Sequence, residues 1–154
     1  MLKIQQVLLN ENGENVLNDY FDSIIFKTNY VLVTKAHMTG IYDRTSFKQI
    51  LKCEWETITF ERGYIIASRI SQIGVFESSG QNILHSYNWD KVKLFDEGIL
   101  VTKDSKQGFF RYDGTMILDC IWKRIVPYHQ ILLAYQGHGA KAIKFNYDGL
   151  KEEC

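Results

Sequence analysis

Three stretches of the sequence share one pattern: CEWETITF (residues 53–60), YNWDKVKLF (87–95) and CIWKRIVPY (120–128). In each stretch a Trp is followed by two polar residues and then by a β-branched residue. Trp55 and Trp89 are 34 residues apart, and Trp89 and Trp122 are 33 apart. A step of 34 back from Trp55 reaches Phe21 in YFDSIIF, which keeps the pattern. A fixed spacing of this length indicates a repeat architecture, so we predict units of about 34 residues.

Other columns of the sequence keep the same period. Glycines at 40, 74 and 108 open GIYD, GVFE and GFFR, and KAIK (141–144) follows about one period later. Turn glycines recur at 13, 80, 114 and 149, and strand-like runs recur as YVLVT, YIIAS, GILVT and ILLAY. We therefore divide one predicted domain, 1–154, into units at approximately 5–39, 40–73, 74–107 and 108–140, with a partial unit at 141–154.

The pattern inside one unit predicts β-strands. In the GVFE motif Phe76 alternates with Val75 and Glu77, as expected of a strand with a buried face and a solvent face. Asn-Gly and Asp-Gly pairs favour the tight turns of hairpins. The fold class is thus all-β, with antiparallel β-meander repeats that form an elongated twisted or wrapped sheet. A propeller-like closed arrangement is the alternative, because four strands in a repeat also describe a blade.

Since one meander cannot bury its apolar face alone, the aromatic columns are predicted to pack as the structural core. We expect burial of seven aromatic side chains: Phe21, Trp55, Trp89, Trp122, Tyr42, Phe76 and Phe110. By the same alignment, Ile143 of the KAIK motif takes the position of Tyr42, Phe76 and Phe110.

Composition limits the classes of protein. Eighteen basic residues balance eighteen acidic ones, so the sequence lacks the basic excess typical of nucleic-acid binders. No apolar run suits a signal peptide or a membrane helix, which predicts a cytoplasmic protein without a membrane partner. Cys53, Cys120 and Cys154 are widely spaced, and we interpret them as reduced structural thiols. An open edge strand at either end would allow a monomer or a weak dimer.

The pattern resembles the WG (or KWG) repeat proteins of bacteria. GIYDRTSFKQILKCEWETITFERGYIIAS (40–68) and GVFESSGQNILHSYNWDKVKLFDEGILVT (74–102) look like two such units, and the resemblance covers nearly the whole chain. The Trp that precedes the first Gly of that motif is replaced here by Thr39, Ile73 and Gln107, and its Ile-Pro is missing. The resemblance implies a binding or scaffold protein and supplies no catalytic residues.

The sequence carries no recognisable catalytic, metal or cofactor motif. The four histidines lack HxH, HxxxH or HExxH spacing, and no P-loop, GxGxxG after a strand or GxSxG is present. His138 lies in the Gly-flanked stretch QGHGA, which favours a solvated loop histidine over a catalytic base. We therefore predict that the protein is not an enzyme and that it needs neither a metal nor a cofactor.

The favoured function is a protein-binding module, because repeat surfaces are rigid and their loops vary. A small neutral protein of diverged repeats suits an immunity protein that neutralises a cognate toxin domain, of the contact-dependent growth inhibition type. Acidic anchors for such a partner would be Asp43, Glu77, Asp96, Glu97, Asp104 and Asp113. The alternatives are a structural or regulatory scaffold with a peptide partner, and a small-ligand binder that uses exposed aromatic columns.

Overall fold

A computed structural model of the chain describes residues 4–152, and every regular element in that range is a β-strand. Met1, Leu2, Lys3, Glu153 and Cys154 lie outside the described residues. The all-β prediction is confirmed.

The strands form four antiparallel sheets in which consecutive strands are neighbours. The first sheet contains β1 (Ser23–Phe26), β2 (Tyr30–Lys35), β3 (Met38–Asp43) and β4 (Gln49–Trp55). The second contains β5 (Thr57–Glu61), β6 (Tyr64–Arg69) and β7 (Gln72–Phe76). The third contains β8 (Lys91–Leu94), β9 (Ile99–Lys103), β10 (Lys106–Phe110) and β11 (Met116–Trp122). The fourth contains β12 (Arg124–Tyr128), β13 (Ile131–Tyr135) and β14 (Ile143–Asn146).

The antiparallel meander of the prediction is thus confirmed, and the structure shows where the predicted elongated sheet is interrupted. Trp55 still pairs with Thr39 in the first sheet, whereas the N–H group of Glu56 donates to the carbonyl of Ser68 on β6 at 2.9 Å. Trp122 pairs with Gln107, and the next N–H group donates to β13. The chain therefore changes sheets directly after a repeat aromatic, and no sheet within residues 4–152 closes on itself.

The chain divides into two compact units, one of residues 1–70 with 76–81 and one of residues 71–75 with 82–154. In the first unit, Leu17, Phe21, Val31, Val33 and Tyr42 form a buried cluster. In the second unit, the buried cluster contains Phe109, Leu118, Trp122, Ile125, Leu132 and Ala134. Burial of such side chains is the main stabilising contribution to each unit.

In every repeat, the side chain of the Trp column, or Phe21 in the first repeat, packs against an aromatic side chain from a later strand. The rings meet edge to face at centroid distances of 5.9 Å for Phe21–Tyr42, 5.7 Å for Trp55–Phe76 and 5.6 Å for Trp89–Phe110. This arrangement matches the ring quadrupoles and adds to the stabilisation from burial. All seven predicted core aromatics are buried, and the most exposed of them, Trp89, is 9% accessible.

The fourth pair corrects the sequence alignment. Trp122 meets Phe145 at 5.4 Å, so Phe145 and not Ile143 occupies the partner column. Ala134 pairs with Ile143, nine residues on, where the equivalent Val101 pairs with Gly108, seven residues on. The chain between the paired residues of β13 and β14 is therefore two residues longer than that between the equivalent residues of β9 and β10, which shifts KAIK out of register.

The recurrent glycine of GIYD and GFFR has a packing reason. A Cβ atom on Gly40 would lie 2.7 Å from the carbonyl oxygen of Leu51, and one on Gly108 would lie 2.7 Å from Sγ of Cys120. Both glycines stand at a shift of register between their strand and the next one. Absence of a side chain thus permits a close approach of two backbones at a bulge.

The turns that precede β3 and β10 are tight, and each is capped in the same way. Two residues link β2 to β3 and β9 to β10, and both residues of each turn have positive φ. The carboxylate of Asp22 accepts a hydrogen bond from the N–H group of Ala36 at 2.8 Å. Asp90 accepts the equivalent bond from Asp104, also at 2.8 Å. The acidic residue after a repeat aromatic therefore fixes the turn that lies 14 residues further along the chain.

Candidate functional site

Most of the predicted acidic anchors lie in connections at the same end of their antiparallel sheets. Asp96 and Glu97 connect β8 to β9, and Asp113 lies between β10 and β11. In an antiparallel meander these two connections are at the same end of the sheet, whereas the β9–β10 turn with Asp104 is at the other. Asp96, Glu97, Asp104 and Asp113 are all exposed.

In the first unit, Asp43 ends β3 and is half-buried at the rim of a pocket of about 410 Å³. The same pocket is lined by Ser78 and Ser79, which directly follow Glu77. The structure therefore brings the turn of Asp43 next to the turn that begins at Glu77. Glu77 itself is half-buried, and its N–H group donates to the carbonyl of Gln81 at 2.9 Å.

Hydrogen bonds hold the carboxylate of Asp43 in place. Its Oδ1 accepts from the N–H groups of Ser46 at 2.8 Å and Thr45 at 2.9 Å, and from the hydroxyl of Ser46 at 3.1 Å. The backbone bonds from Ser46 and Thr45 lower the pKa of Asp43 below its ordinary value. The side chain is therefore ionised and oriented at neutral pH.

Asp113 has a similar role in its turn. It accepts from the N–H group of Thr115 at 2.9 Å, and the bonds to Thr115 lower the pKa of Asp113. Such bonds make an acidic turn rigid as well as charged, because the side chain replaces solvent at the turn backbone.

Sequence reasoning missed three residues at this end of the second unit. The guanidinium group of Arg111 contacts the carboxylate of Asp148, and its Nε donates to the carbonyl of Tyr147 at 2.9 Å. Burial, followed by the negative charge of Glu97, raises the pKa of Tyr147 to about 12. The connections that carry Arg111 and Asp148 therefore meet. The hydroxyl of Tyr112 donates to the carbonyl of Phe95, which joins the connection that carries Glu97 to the same place. We call the carboxylates of this end the acidic end of the second unit: Asp96, Glu97, Asp113 and Asp148.

A sequence signal for Asp148 was present. Asp113-Gly114 and Asp148-Gly149 are the same dipeptide one period apart. Both glycines have positive φ, at 89° and 79°. The alignment of turn glycines could thus have added Asp148 to the acidic columns, whereas its contact with Arg111 requires the fold.

The aromatic columns are not available as a ligand platform. Trp55, Trp89 and Trp122 are 2%, 9% and 7% exposed, and each is covered by the aromatic residue of its pair. A stacked sugar or small ligand needs an open ring face. The small-ligand alternative therefore cannot use these three side chains.

Other functional groups in the described range are sparse. Residues 4–152 contain no cluster of three or more His, Cys, Asp or Glu side chains that could hold a metal ion. Cys53 and Cys120 are free and half-buried, and burial raises the pKa of both thiols. Cys154 lies outside the described residues. Across the described part of the chain, we find no helical segment with the length and apolar character needed to cross a bilayer.

Comparisons with known proteins give only distant structural similarity. No family model matches the sequence, and no curated protein matches it. The structure is similar to Kluyveromyces lactis Hsv2, with 14% identity and a TM-score of 0.42, over 84% of this chain and 48% of that chain. It is also similar to the WD40 beta propeller domain of Doa1, with 12% identity and a TM-score of 0.34, over 83% and 52%. The chain thus spans about half the length of these structures.

Proposed function

We propose that this chain is a non-enzymatic protein-binding repeat module, and that it acts as a bacterial immunity protein against a cognate toxin domain. The observation that supports the proposal is the acidic end of the second unit, where four carboxylates stand on short turns that meet. The resemblance to WG repeats points to the same class of binding protein.

The chemistry of this end suits a basic partner surface. Asp96, Glu97, Asp113 and Asp148 are all exposed, and Arg111 compensates one of them through its contact with Asp148. Complementary charge accelerates encounter and selects the partner, and groups that are already ordered lose less entropy on binding. A toxin domain with a basic cleft, such as a nuclease, would meet these requirements.

The first test is capture of the partner. The tagged protein is expressed together with the products of neighbouring open reading frames, and the purified complex is analysed. We expect a stoichiometric complex with a product that is toxic when it is expressed alone. Recovery of the chain without such a partner would contradict the immunity role.

Matched variants then locate the binding surface. The triple substitution Asp96→Asn, Glu97→Gln, Asp113→Asn removes three charges from the acidic end at nearly constant volume. We expect at least about a tenfold loss of affinity, mostly through a slower association rate that also becomes less dependent on salt. Asp104→Asn removes one charge at the opposite end of the same sheet and should leave binding unchanged. Equal losses from both variants would refute the assignment to the acidic end.

The edge of the first sheet favours a second candidate function, that of a scaffold for an extended peptide. Strand β1 lies at the edge of its sheet, and it exposes Ile25 (51%) and Phe26 (46%). A peptide could add to such an edge by backbone hydrogen bonds. Ile25→Lys should then abolish binding of a captured peptide, whereas the triple variant of the acidic end should retain it. The opposite pattern would exclude the edge.

A further inference from the structure

The second unit contains a pocket with a basic lining. Its volume is about 390 Å³, and it lies between the β11–β12 and β13–β14 connections. Lys123 and Arg124 line it together with Gln107 and with a glycine-rich loop of residues 137–140, and no carboxylate lines it. Pockets of this size accept small ligands. The positive charges of Lys123 and Arg124 are therefore available to bind an anion.

Comparison with the other repeats explains why this pocket exists. In the first and third sheets, Asp22 and Asp90 follow a repeat aromatic and accept the N–H group 14 residues further on. The last repeat places Lys123 at that position, and the residue 14 further on is Gly137. A lysine side chain donates hydrogen bonds and cannot accept them. The carboxylate that caps the turn elsewhere has thus been replaced by a cation.

The loop itself is also different. Seven residues, 136–142, link β13 to β14, where two residues form the equivalent turn, and they include Gly137, Gly139 and Ala140. A Cβ atom added to either glycine would meet nothing within 4 Å, so the backbone faces open space. Within the loop, the N–H group of Ala140 donates to the carbonyl of Gly137 at 3.3 Å, which closes a turn. Accessible N–H groups of a glycine-rich turn are a common way to bind phosphate.

Neighbouring side chains hold the donors in place. Oε1 of Gln107 accepts from the N–H group of Ile125 at 2.7 Å, which leaves the amide NH₂ of Gln107 as a donor. The guanidinium carbon of Arg124 lies 5.4 Å from the centroid of the Tyr135 ring, a cation–π contact that orients the group. Guanidinium groups suit phosphate because they donate two parallel hydrogen bonds.

We propose that this pocket binds a phosphate group, which takes the place of the carboxylate that caps the turn in the first and third sheets. Lys123 and Arg124 neutralise its charge, Gln107 donates one hydrogen bond, and the loop of residues 137–140 contributes N–H groups. The pocket has room for a small organic carrier beside the phosphate. This site is separate from the acidic end, and the proposal does not depend on the proposed function.

The test is an NMR titration of the ¹⁵N-labelled full chain with inorganic phosphate and, separately, with glycerol 3-phosphate, at constant ionic strength. We expect saturable shifts of the Gly137, Gly139 and Ala140 amides. Tighter binding of the ester would identify a phosphorylated small molecule as the ligand, and equal or tighter binding of inorganic phosphate would identify the free ion. Shifts that fail to saturate, or that sodium chloride reproduces, would overturn the proposal.

Variants with a matched control complete the test. Lys123→Gln and Arg124→Gln should each weaken binding about tenfold or more, because each removes a charged donor. Lys91→Gln is the control, since Lys91 occupies the position of Arg124 in the preceding repeat and does not line the pocket. Lys123 and Arg124 are both exposed, so both substitutions should leave the fold intact. Unchanged affinity in folded Lys123→Gln would also overturn the proposal.

Discussion

At the scale of single residues, the aromatic columns carry stability and the residues beside them carry the differences between repeats. Trp55 is 2% exposed, contacts Phe76 edge to face and has the guanidinium group of Arg69 4.4 Å from its ring centroid. The next position holds Asp22, Glu56, Asp90 or Lys123. Burial thus constrains the first column, while the second varies in charge.

Trp55→Ala should lower the free energy of unfolding by about 3–5 kcal/mol, because it removes a buried aromatic and leaves a cavity. Ile70→Ala is the control, since Ile70 is 81% exposed, and it should change the free energy by no more than about 0.5 kcal/mol. Urea denaturation followed by circular dichroism measures both. A similar small effect for the two variants would contradict the core role of Trp55.

Tyr147 should make stability depend on alkaline pH. Burial, and secondly the charge of Glu97, raise the pKa of Tyr147 to about 12, above the ordinary tyrosine value of about 10. Folding therefore favours the protonated phenol. Its contribution is present in full below the unfolded pKa and is lost as pH rises through the folded pKa.

The ultraviolet absorbance of tyrosinate, taken as the difference between the parent protein and Tyr147→Phe, measures this pKa. Glu97→Gln should lower the pKa of Tyr147 but leave it above the ordinary value, because burial is the larger cause. A return to the ordinary value in Glu97→Gln would show that charge and not burial dominates.

At the scale of elements, the glycine of GIYD is a packing requirement of the sheet, as is the glycine of GFFR. Gly40→Ala places Cβ 2.7 Å from the carbonyl oxygen of Leu51, which is backbone and cannot move aside cheaply. We expect a loss of about 1–3 kcal/mol in the free energy of unfolding, as for other overpacked sites. Gly137→Ala, where Cβ meets nothing within 4 Å, should be nearly neutral. Thermal unfolding of the two variants under one condition tests the contrast.

The elements also show what the sequence could predict. Turn glycines and the spacing of Trp were sufficient for strands and meanders. The alternation predicted in GVFE is wrong at Val75, which was expected on the solvent face and is buried beside Phe76. The alignment failed at Ile143 because the β13–β14 connection carries a two-residue insertion. The turn glycines record it, since Trp89 and Gly114 are 25 residues apart whereas Trp122 and Gly149 are 27 apart. The contact of Arg111 with Asp148 joins residues 37 apart, and no local pattern encodes it. The charge change at Lys123 is visible in the sequence, but its meaning depends on the hydrogen bonds of Asp22 and Asp90.

At the scale of the whole molecule, the second compact unit needs its last strand to complete its core. In the second unit β14 supplies Phe145, which covers Trp122, and the following turn supplies the acceptors of Arg111. Deletion of residues 141–152 should therefore expose Trp122 and disorder this unit.

Fluorescence in a Trp55→Phe, Trp89→Phe background isolates Trp122 and tests this deletion. Its emission should shift to longer wavelength in the shortened chain, whereas the full-length double variant should keep a short-wavelength maximum. Phe145→Ala in the same background should give an intermediate shift. Unchanged emission after the deletion would mean that β14 does not protect Trp122.

The two half-buried thiols provide separate reporters of local opening. Cys53 and Cys120 each stand two residues before a repeat Trp, one in each compact unit, and burial raises the pKa of both. Only the thiolate reacts readily, so the rate of alkylation depends on local fluctuations that expose the sulfur to solvent. With Cys154 replaced by Ser, mass spectrometry of the two modified peptides would measure the alkylation rates of Cys53 and Cys120 separately. The ratio of the two alkylation rates would show which compact unit opens more readily.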